Sequence, residues 1–189
     1  MVRKKIDPRV SRTCRALQSA FIELMLTRGY KTVAVGDIVR RANVGRSTFY
    51  LHYAGKEALL RETLKNPSRG LAACVGADAA PQMLIPLLEH FREQRRINRV
   101  FLEYPLRSLW VRSLARLIES KLAGARGAAR GQPLIPRSLL AMLLAETQIA
   151  LITHWLSGTV PVTAESIAQA LIFNTRALLA SDVGYQRPG

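Results

Sequence analysis

The chain has 189 residues and a formal net charge of +15, from 28 Lys and Arg against 13 Asp and Glu. This length suits one domain or two small ones. The composition, with 49% hydrophobic and 22% charged residues, excludes a disordered chain. Arginine dominates the excess, with 22 Arg against 6 Lys, so the composition favours a polyanionic partner, either nucleic acid or an anionic membrane surface.

The first third of the chain predicts four helices in succession. Asp7 and Pro8 are typical of a helix start, with an N-cap followed by proline at the first helical position, and Gly29 is typical of a helix end. The pair Asn66 and Pro67 is expected to close the last of the four. The predicted helices here are 8–28, 35–42, 46–53 and 56–65.

The second and third of these helices, joined by a tight turn, predict a helix-turn-helix within residues 29–57. Gly45 is expected to supply the turn's freedom in φ. Phe49 and Tyr53 are expected to anchor the second helix in the core. The side chains pushed outward are basic, hydroxylic and aromatic, which suits base edges and phosphates of a major groove. These outward residues are Arg46, Ser47, Thr48, Tyr50 and His52.

This segment resembles the DNA-binding region of the TetR family of transcriptional regulators. The resemblance covers residues 9–65, about a third of the chain, and rests on the run ANVGRSTFYLHY followed by KEALL, residues 42–53 and 56–60. It implies an all-α fold with an N-terminal three-helix DNA-binding domain and a C-terminal helical domain for ligand binding and dimerisation. The expected domains are 1–55 and 56–189.

The resemblance also implies roles for individual residues. Arg46, Ser47 and Thr48 fall where the family contacts bases. Tyr50 and His52 fall where the recognition helix holds phosphates. Lys56 begins the next helix, where a lysine and the helix N-terminus are expected to bind a phosphate.

Two positions depart from the family pattern. Ala34 stands where the family usually has a capping Ser or Thr, a loss that typically costs about 1 kcal/mol. Thr32 is an alternative cap if the helix starts early. Gly36 replaces a position that is often polar, so we expect the first helix of the motif to contribute little to base contacts.

The remainder of the chain also predicts helices, divided by prolines, without an internal repeat. Residues 124–133, rich in Gly, Ala and Arg, predict a surface loop. The predicted helices here are 82–97, 98–104, 106–123, 136–157 and 163–181.

The last two predicted helices, 136–157 and 163–181, are too apolar for solvated faces. Two such helices from each of two subunits would form a four-helix interface, as the resemblance also implies. A homodimer places two recognition helices about 34–36 Å apart, matching successive major grooves of a palindromic site.

Aromatic and polar residues on the later helices are candidates for an effector pocket, although a tryptophan at helical spacing is more often core. A basic stripe at i, i+3, i+4 and i+7 predicts a solvated face, partly paired with Glu89 and Glu93. Its alternative roles are binding of an anionic effector or an additional contact to DNA. The stripe consists of Arg92, Arg95, Arg96 and Arg99. The candidate pocket residues are His90, Phe91, Phe101, Tyr104, Trp110, Gln148, His154 and Trp155.

Charge and cysteine usage separate the two ends of the chain. Residues 1–65 carry a net charge of +9, residues 66–131 carry +6, and residues 132–189 carry zero. The two cysteines form no metal-spaced cluster, and the basic N-terminus lacks an apolar segment, so we expect a cytoplasmic protein without a signal peptide. The apolar run at 139–156 contains a carboxylate, an amide and an imidazole, which predicts a buried helix rather than a membrane span.

These observations predict a DNA-binding transcriptional regulator, a homodimeric repressor released from its operator by an unidentified small molecule. The alternative is a nucleoid-type structural protein that binds DNA by charge alone, which would not need the ordered aromatic motif. We expect no enzyme, because the sequence contains no nucleophile elbow, P-loop, dinucleotide fingerprint or metal-ligand spacing. Accordingly, no catalytic residue, cofactor, metal or membrane partner is predicted.

Overall fold

The computed structural model describes residues 7–125, 134–158 and 161–184. Within them the chain is helical and has no strand, so the predicted all-α class is confirmed. Of the predicted loop at 124–133, the first two residues belong to a helix and the rest lie outside the described residues. The helices are α1 (Pro8–Arg28), α2 (Val35–Ala42), α3 (Arg46–His52), α4 (Lys56–Thr63), α5 (Lys65–Ala72), α6 (Ile85–Glu93), α7 (Arg95–Phe101), α8 (Leu106–Ala125), α9 (Arg137–Ser157) and α10 (Ala164–Gly184).

The chain divides after Leu64 into two compact units. The sequence predicts the boundary between residues 55 and 56, which is the start of α4. In the structure the N-terminal unit extends further and includes the whole of α4. Helix α4 groups with the N-terminal unit and carries Leu59 and Leu60, both fully buried. The N-terminal unit therefore consists of α1 to α4, and the C-terminal unit of α5 to α10.

Helix α1 begins and ends where its sequence predicts. The Asp7 carboxylate accepts a hydrogen bond from the Arg9 amide at 2.9 Å, and Pro8 occupies the first helical position. Gly29 ends the helix with a φ of 76°, a conformation that glycine adopts without steric cost. Four large apolar side chains of α1 are buried and form its contribution to the core: Leu17, Phe21, Leu24 and Met25.

Helix α5 was not predicted from the sequence. The pair Asn66 and Pro67, expected to end a helix, instead lies in the first turn of α5. A proline there removes no intrahelical hydrogen bond, because first-turn amides have no partner within the helix. The predicted helix 82–97 is also divided: a 3-10 turn at Pro81–Met83 precedes α6, and Gln94, with φ −96° and ψ 31°, separates α6 from α7.

The core of the C-terminal unit contains a tryptophan whose polar atom is satisfied. Trp110 on α8 is 1% exposed, and its ring meets that of Phe91 on α6 edge to face at 6.0 Å. Its indole nitrogen donates to the buried hydroxyl of Ser68 on α5 at 3.1 Å. Buried tryptophans usually find such a partner. The same hydrogen bond to Trp110 gives the buried Ser68 hydroxyl its partner. One side chain thereby joins α5, α6 and α8.

Helix α9 is long and apolar enough to cross a membrane by length and composition, yet half of its apolar window is buried in the fold. Two of its polar side chains have partners on neighbouring helices, although the Gln148 side-chain oxygen has none. Glu146 accepts a hydrogen bond from Arg107 on α8 at 2.6 Å, and the Gln148 amide nitrogen lies 3.3 Å from the Thr175 hydroxyl on α10. These contacts are those of a core helix, as the sequence predicts.

The C-terminus of α9 is capped from another helix. The Arg95 guanidinium on α7 donates to the carbonyl oxygens of Leu156 and Ser157, each at 2.6 Å. These carbonyls have no partner within the helix, and a cation there also complements the helix dipole. Gly158 follows in the left-handed conformation with φ 75°, and a β-carbon at this position would overlap the Arg95 guanidinium. Arg95 is therefore not part of a uniformly solvated stripe.

Candidate nucleic-acid interface

The turn between α2 and α3 is formed by an asparagine rather than by its glycine. Asn43 adopts the left-handed conformation with φ 52°, whereas Gly45 has an ordinary φ of −63°. The expectation that Gly45 supplies the conformational freedom is therefore wrong, because asparagine visits this region more readily than other residues with side chains. The Val44 amide donates to the Val39 carbonyl at 3.0 Å and closes the turn.

Helix α3 is oriented by two buried aromatic residues. Phe49 is fully buried and Tyr53 is 6% exposed, as predicted, with ring centroids 5.7 Å apart. Burial and then the neighbouring Cys14 thiol on α1 raise the pKa of the Tyr53 phenol, so it stays protonated at neutral pH. With these anchors inward, the remaining predicted contact residues of α3 lie at the surface. Arg46, Ser47 and Tyr50 are exposed, and Thr48 and His52 are half-buried.

Arg46 lies against the first turn of α2. A β-carbon built on Gly36 would lie 3.4 Å from the Arg46 guanidinium nitrogen Nη2, a close van der Waals contact. The absence of a side chain at position 36 thus leaves room for the guanidinium beside an open groove between α2 and α3. Gly36 therefore does more than leave out a polar side chain, because it neighbours Arg46, the principal cation of α3.

The N-terminus of α2 is capped without a hydroxyl. The Asp37 carboxylate accepts a hydrogen bond from the Ala34 amide at 3.1 Å. Thr32 does not substitute for the missing cap. Its hydroxyl lies 3.0 Å from the Gly29 carbonyl, at the end of α1. Half of a reciprocal capping interaction therefore remains at α2, and the alternative role considered for Thr32 is wrong.

Lys56 is held by the protein itself. Its ammonium donates to the carbonyl oxygens of Tyr30 and Val33, each at 2.8 Å, with a longer contact of 3.4 Å to Lys31. It also lies 4.5 Å from the centre of the Tyr30 ring. An ammonium has three donors, and these acceptors match them in number. The expected phosphate contact then depends on the backbone amide at the start of α4 and on the charge of the lysine.

Replacing Lys56 with methionine is therefore expected to destabilise the N-terminal unit. The carbonyls of Tyr30 and Val33 lose a charged donor, and such hydrogen bonds contribute about 1.5–3 kcal/mol each in the general case. We expect the loss of these two half-buried hydrogen bonds to lower the free energy of unfolding by about 2 kcal/mol. Urea unfolding followed by circular dichroism measures it, with Lys121→Met, a change of the same charge at an exposed lysine of α8, as the control. Equal stability of the two variants would contradict this structural role.

The eight candidate pocket residues do not converge on one cavity in the described residues. Phe91, Phe101, Trp110 and Gln148 are buried, Trp155 is half-buried, and His90, Tyr104 and His154 are exposed. The Trp155 indole nitrogen donates to the Val162 carbonyl at 2.9 Å. Gln148 lines a crevice between α9 and α10 that is too narrow to admit even a water-sized group.

The described residues contain no group of three His, Cys, Asp or Glu side chains placed to hold a metal ion. Burial raises the pKa of the Cys74 thiol to about 12, so this cysteine is protonated and a poor nucleophile at neutral pH. The surface of α3, in contrast, brings basic, hydroxylic and aromatic side chains together on one short helix. Fold and surface together define a helix-turn-helix protein of the class that binds DNA.

Comparison with known proteins specifies the family. Residues 19–63 match the family model of bacterial regulatory proteins of the tetR family. The uncharacterized HTH-type transcriptional regulator YxbF of Bacillus subtilis (strain 168) is 44% identical over 63 residues, which are 33% of this chain and 17% of that relative. Residues 19–63 therefore resemble the N-terminal, DNA-binding region of the TetR family, a family of transcriptional regulators.

Solved structures extend the similarity over most of the chain. A TetR transcriptional regulator from Streptococcus agalactiae 2603V has a TM-score of 0.55 and 27% identity, over 88% of this chain and 95% of that one. FadR of Thermus thermophilus, a TetR-family transcriptional repressor in complex with lauroyl-CoA, has a TM-score of 0.53 and 21% identity, over 95% of this chain and 98% of that one. The latter similarity concerns the fold alone.

Proposed function

We propose that the chain is a homodimeric repressor that binds a palindromic operator and dissociates from it when a small molecule binds the C-terminal unit. The observation that carries the proposal is the surface of α3, where Arg46, Ser47 and Tyr50 are exposed above the buried Phe49. Arginine and hydroxyl side chains on an exposed helix suit direct contacts to base edges, whereas charge alone requires no such arrangement.

The dimer is supported by apolar side chains on the outer faces of the last two helices. Leu139 and Leu143 on α9 are 54% and 43% exposed, and Phe173 on α10 is 73% exposed. Residues 132–189 carry no net charge. A second copy covering these faces would bury this apolar surface in an interface depleted of charge, which is the usual composition of an interface core.

Release by an effector follows from linkage. A ligand dissociates the repressor only if it binds the DNA-competent form less tightly than the other form. FadR, which shares the fold, is a repressor in complex with lauroyl-CoA, and this supports a small-molecule ligand here. We assign the ligand to the C-terminal unit because the N-terminal unit carries the surface of α3. We propose the eight candidate pocket residues as the lining of this ligand site. We also propose that the protein is cytoplasmic and has no membrane partner.

The test is binding to the DNA immediately upstream of the gene, by fluorescence anisotropy at about 150 mM salt, a concentration at which purely electrostatic binding is weakened. We expect binding that survives an excess of random duplex. Equal affinity for both duplexes, fading steeply with salt, would favour the nucleoid-type alternative. An operator located elsewhere is found by enriching binding sites from a pool of random duplexes, so failure of that enrichment would overturn sequence-specific regulation.

A further inference from the structure

The most exposed large apolar side chain among the described residues lies on the recognition helix. Leu51 is 82% exposed, in the middle of the run from Tyr50 to His52. Single exposed apolar residues are ordinary on protein surfaces. Leu51 differs from them because the other surface residues of α3 include basic and hydroxylic side chains.

The position of Leu51 follows from the anchor of the helix. An α-helix turns about 100° per residue, so Leu51, two residues after the fully buried Phe49, projects on the opposite side of α3. Ser47 and Thr48 precede Leu51 by four and three residues and therefore share its face. Leu51 lies at the centre of the outward surface, whereas Arg46 lies to one side, against Gly36.

We propose that Leu51 is a specificity-determining residue that contacts the C5-methyl group of a thymine in the major groove. This inference rests on the proposed function. Leucine has neither donor nor acceptor, so it cannot distinguish bases by hydrogen bonds. The thymine methyl is the one apolar group that an unmodified base pair presents in the major groove. DNA is the occupant that the basic residues beside this position favour.

The test deletes the methyl group without changing base pairing. An operator is first enriched from random duplexes with the unmodified protein. Each thymine is then replaced singly by uracil. We expect one thymine in each half-site at which uracil weakens binding about three- to fivefold, the equivalent of burying one methyl-sized group. Leu51→Ala is expected to bind thymine and uracil duplexes equally at that position, and Leu51→Met, which keeps an apolar side chain, to restore the preference.

Several results separate failure of this inference from failure of the proposed function. Binding of Leu51→Ala to random duplex at low salt is expected to be unchanged, because the substitution removes no charge. A successful enrichment in which no uracil effect depends on residue 51 would overturn the role of Leu51 alone. If no sequence is enriched, both proposals fall. Loss of helical circular dichroism in Leu51→Ala would also contradict the inference, since it would give Leu51 a structural role.

Discussion

Replacing Arg46 with alanine is expected to weaken operator binding about ten- to hundredfold, with a smaller loss of affinity for random duplex. Arg46 is exposed at the start of α3, and a bidentate contact between arginine and a base contributes about 1–3 kcal/mol of discrimination. Fluorescence anisotropy with enriched and random duplexes measures the specificity ratio directly. Arg46→Lys keeps the charge but not the planar fork, so most of the specificity is expected to remain lost.

Arg40→Ala is the matched control. Arg40 is an exposed arginine on α2, 3.7 Å from Asp37. It is expected to act through charge, lowering affinity for both duplexes equally and reducing the salt slope by about one. Gly36→Ala tests the geometry, since its β-carbon would lie 3.4 Å from the Arg46 guanidinium, and we expect reduced specificity without a change of charge. Equal effects of Arg46→Ala and Arg40→Ala on specificity would contradict base contact by Arg46.

The second large effect concerns the dimer. Leu143→Asp combined with Phe173→Asp is expected to raise the dimer dissociation constant more than about a hundredfold, because four carboxylates would enter an apolar interface. The side chains are exposed in the single chain, so the fold is expected to remain intact. Sedimentation equilibrium measures association, and anisotropy measures the accompanying loss of affinity for a full palindrome.

Met83→Asp is the control for the dimer. Met83 lies on the 3-10 turn before α6 and is 56% exposed, so the substitution places one such carboxylate at another exposed apolar site. We expect it to remain dimeric. A monomeric unmodified protein at micromolar concentration, or a double variant as dimeric as Met83→Asp, would rule out the proposed use of α9 and α10.

Local signals account for what the sequence predicted well. The boundaries of α1 follow from Asp7, Pro8 and Gly29, and the orientation of α3 follows from the spacing of Phe49 and Tyr53. Both are decided within a few residues. The all-α class and the family followed from these signals together with the motif around the turn.

The features that the sequence did not predict are non-local or locally ambiguous. Pro67 is equally compatible with ending a helix and with its first turn, so α5 was missed. The acceptors of Lys56 lie 23 to 26 residues away, and those of Arg95 lie more than 60 residues away. The fold alone brings such partners together. The candidate pocket residues stay a prediction, because aromatic residues suit a core as well as a binding site.

The end of α9 constrains how this chain can vary. Gly158 is exposed, and exposed positions usually accept many residues. Here the left-handed backbone strains any residue with a side chain, and a β-carbon would displace the Arg95 guanidinium from the carbonyls that it caps. The two positions are consequently epistatic. An exchange at 158 meets less resistance after Arg95 has been lost, so the order of substitutions determines which of them the chain accepts.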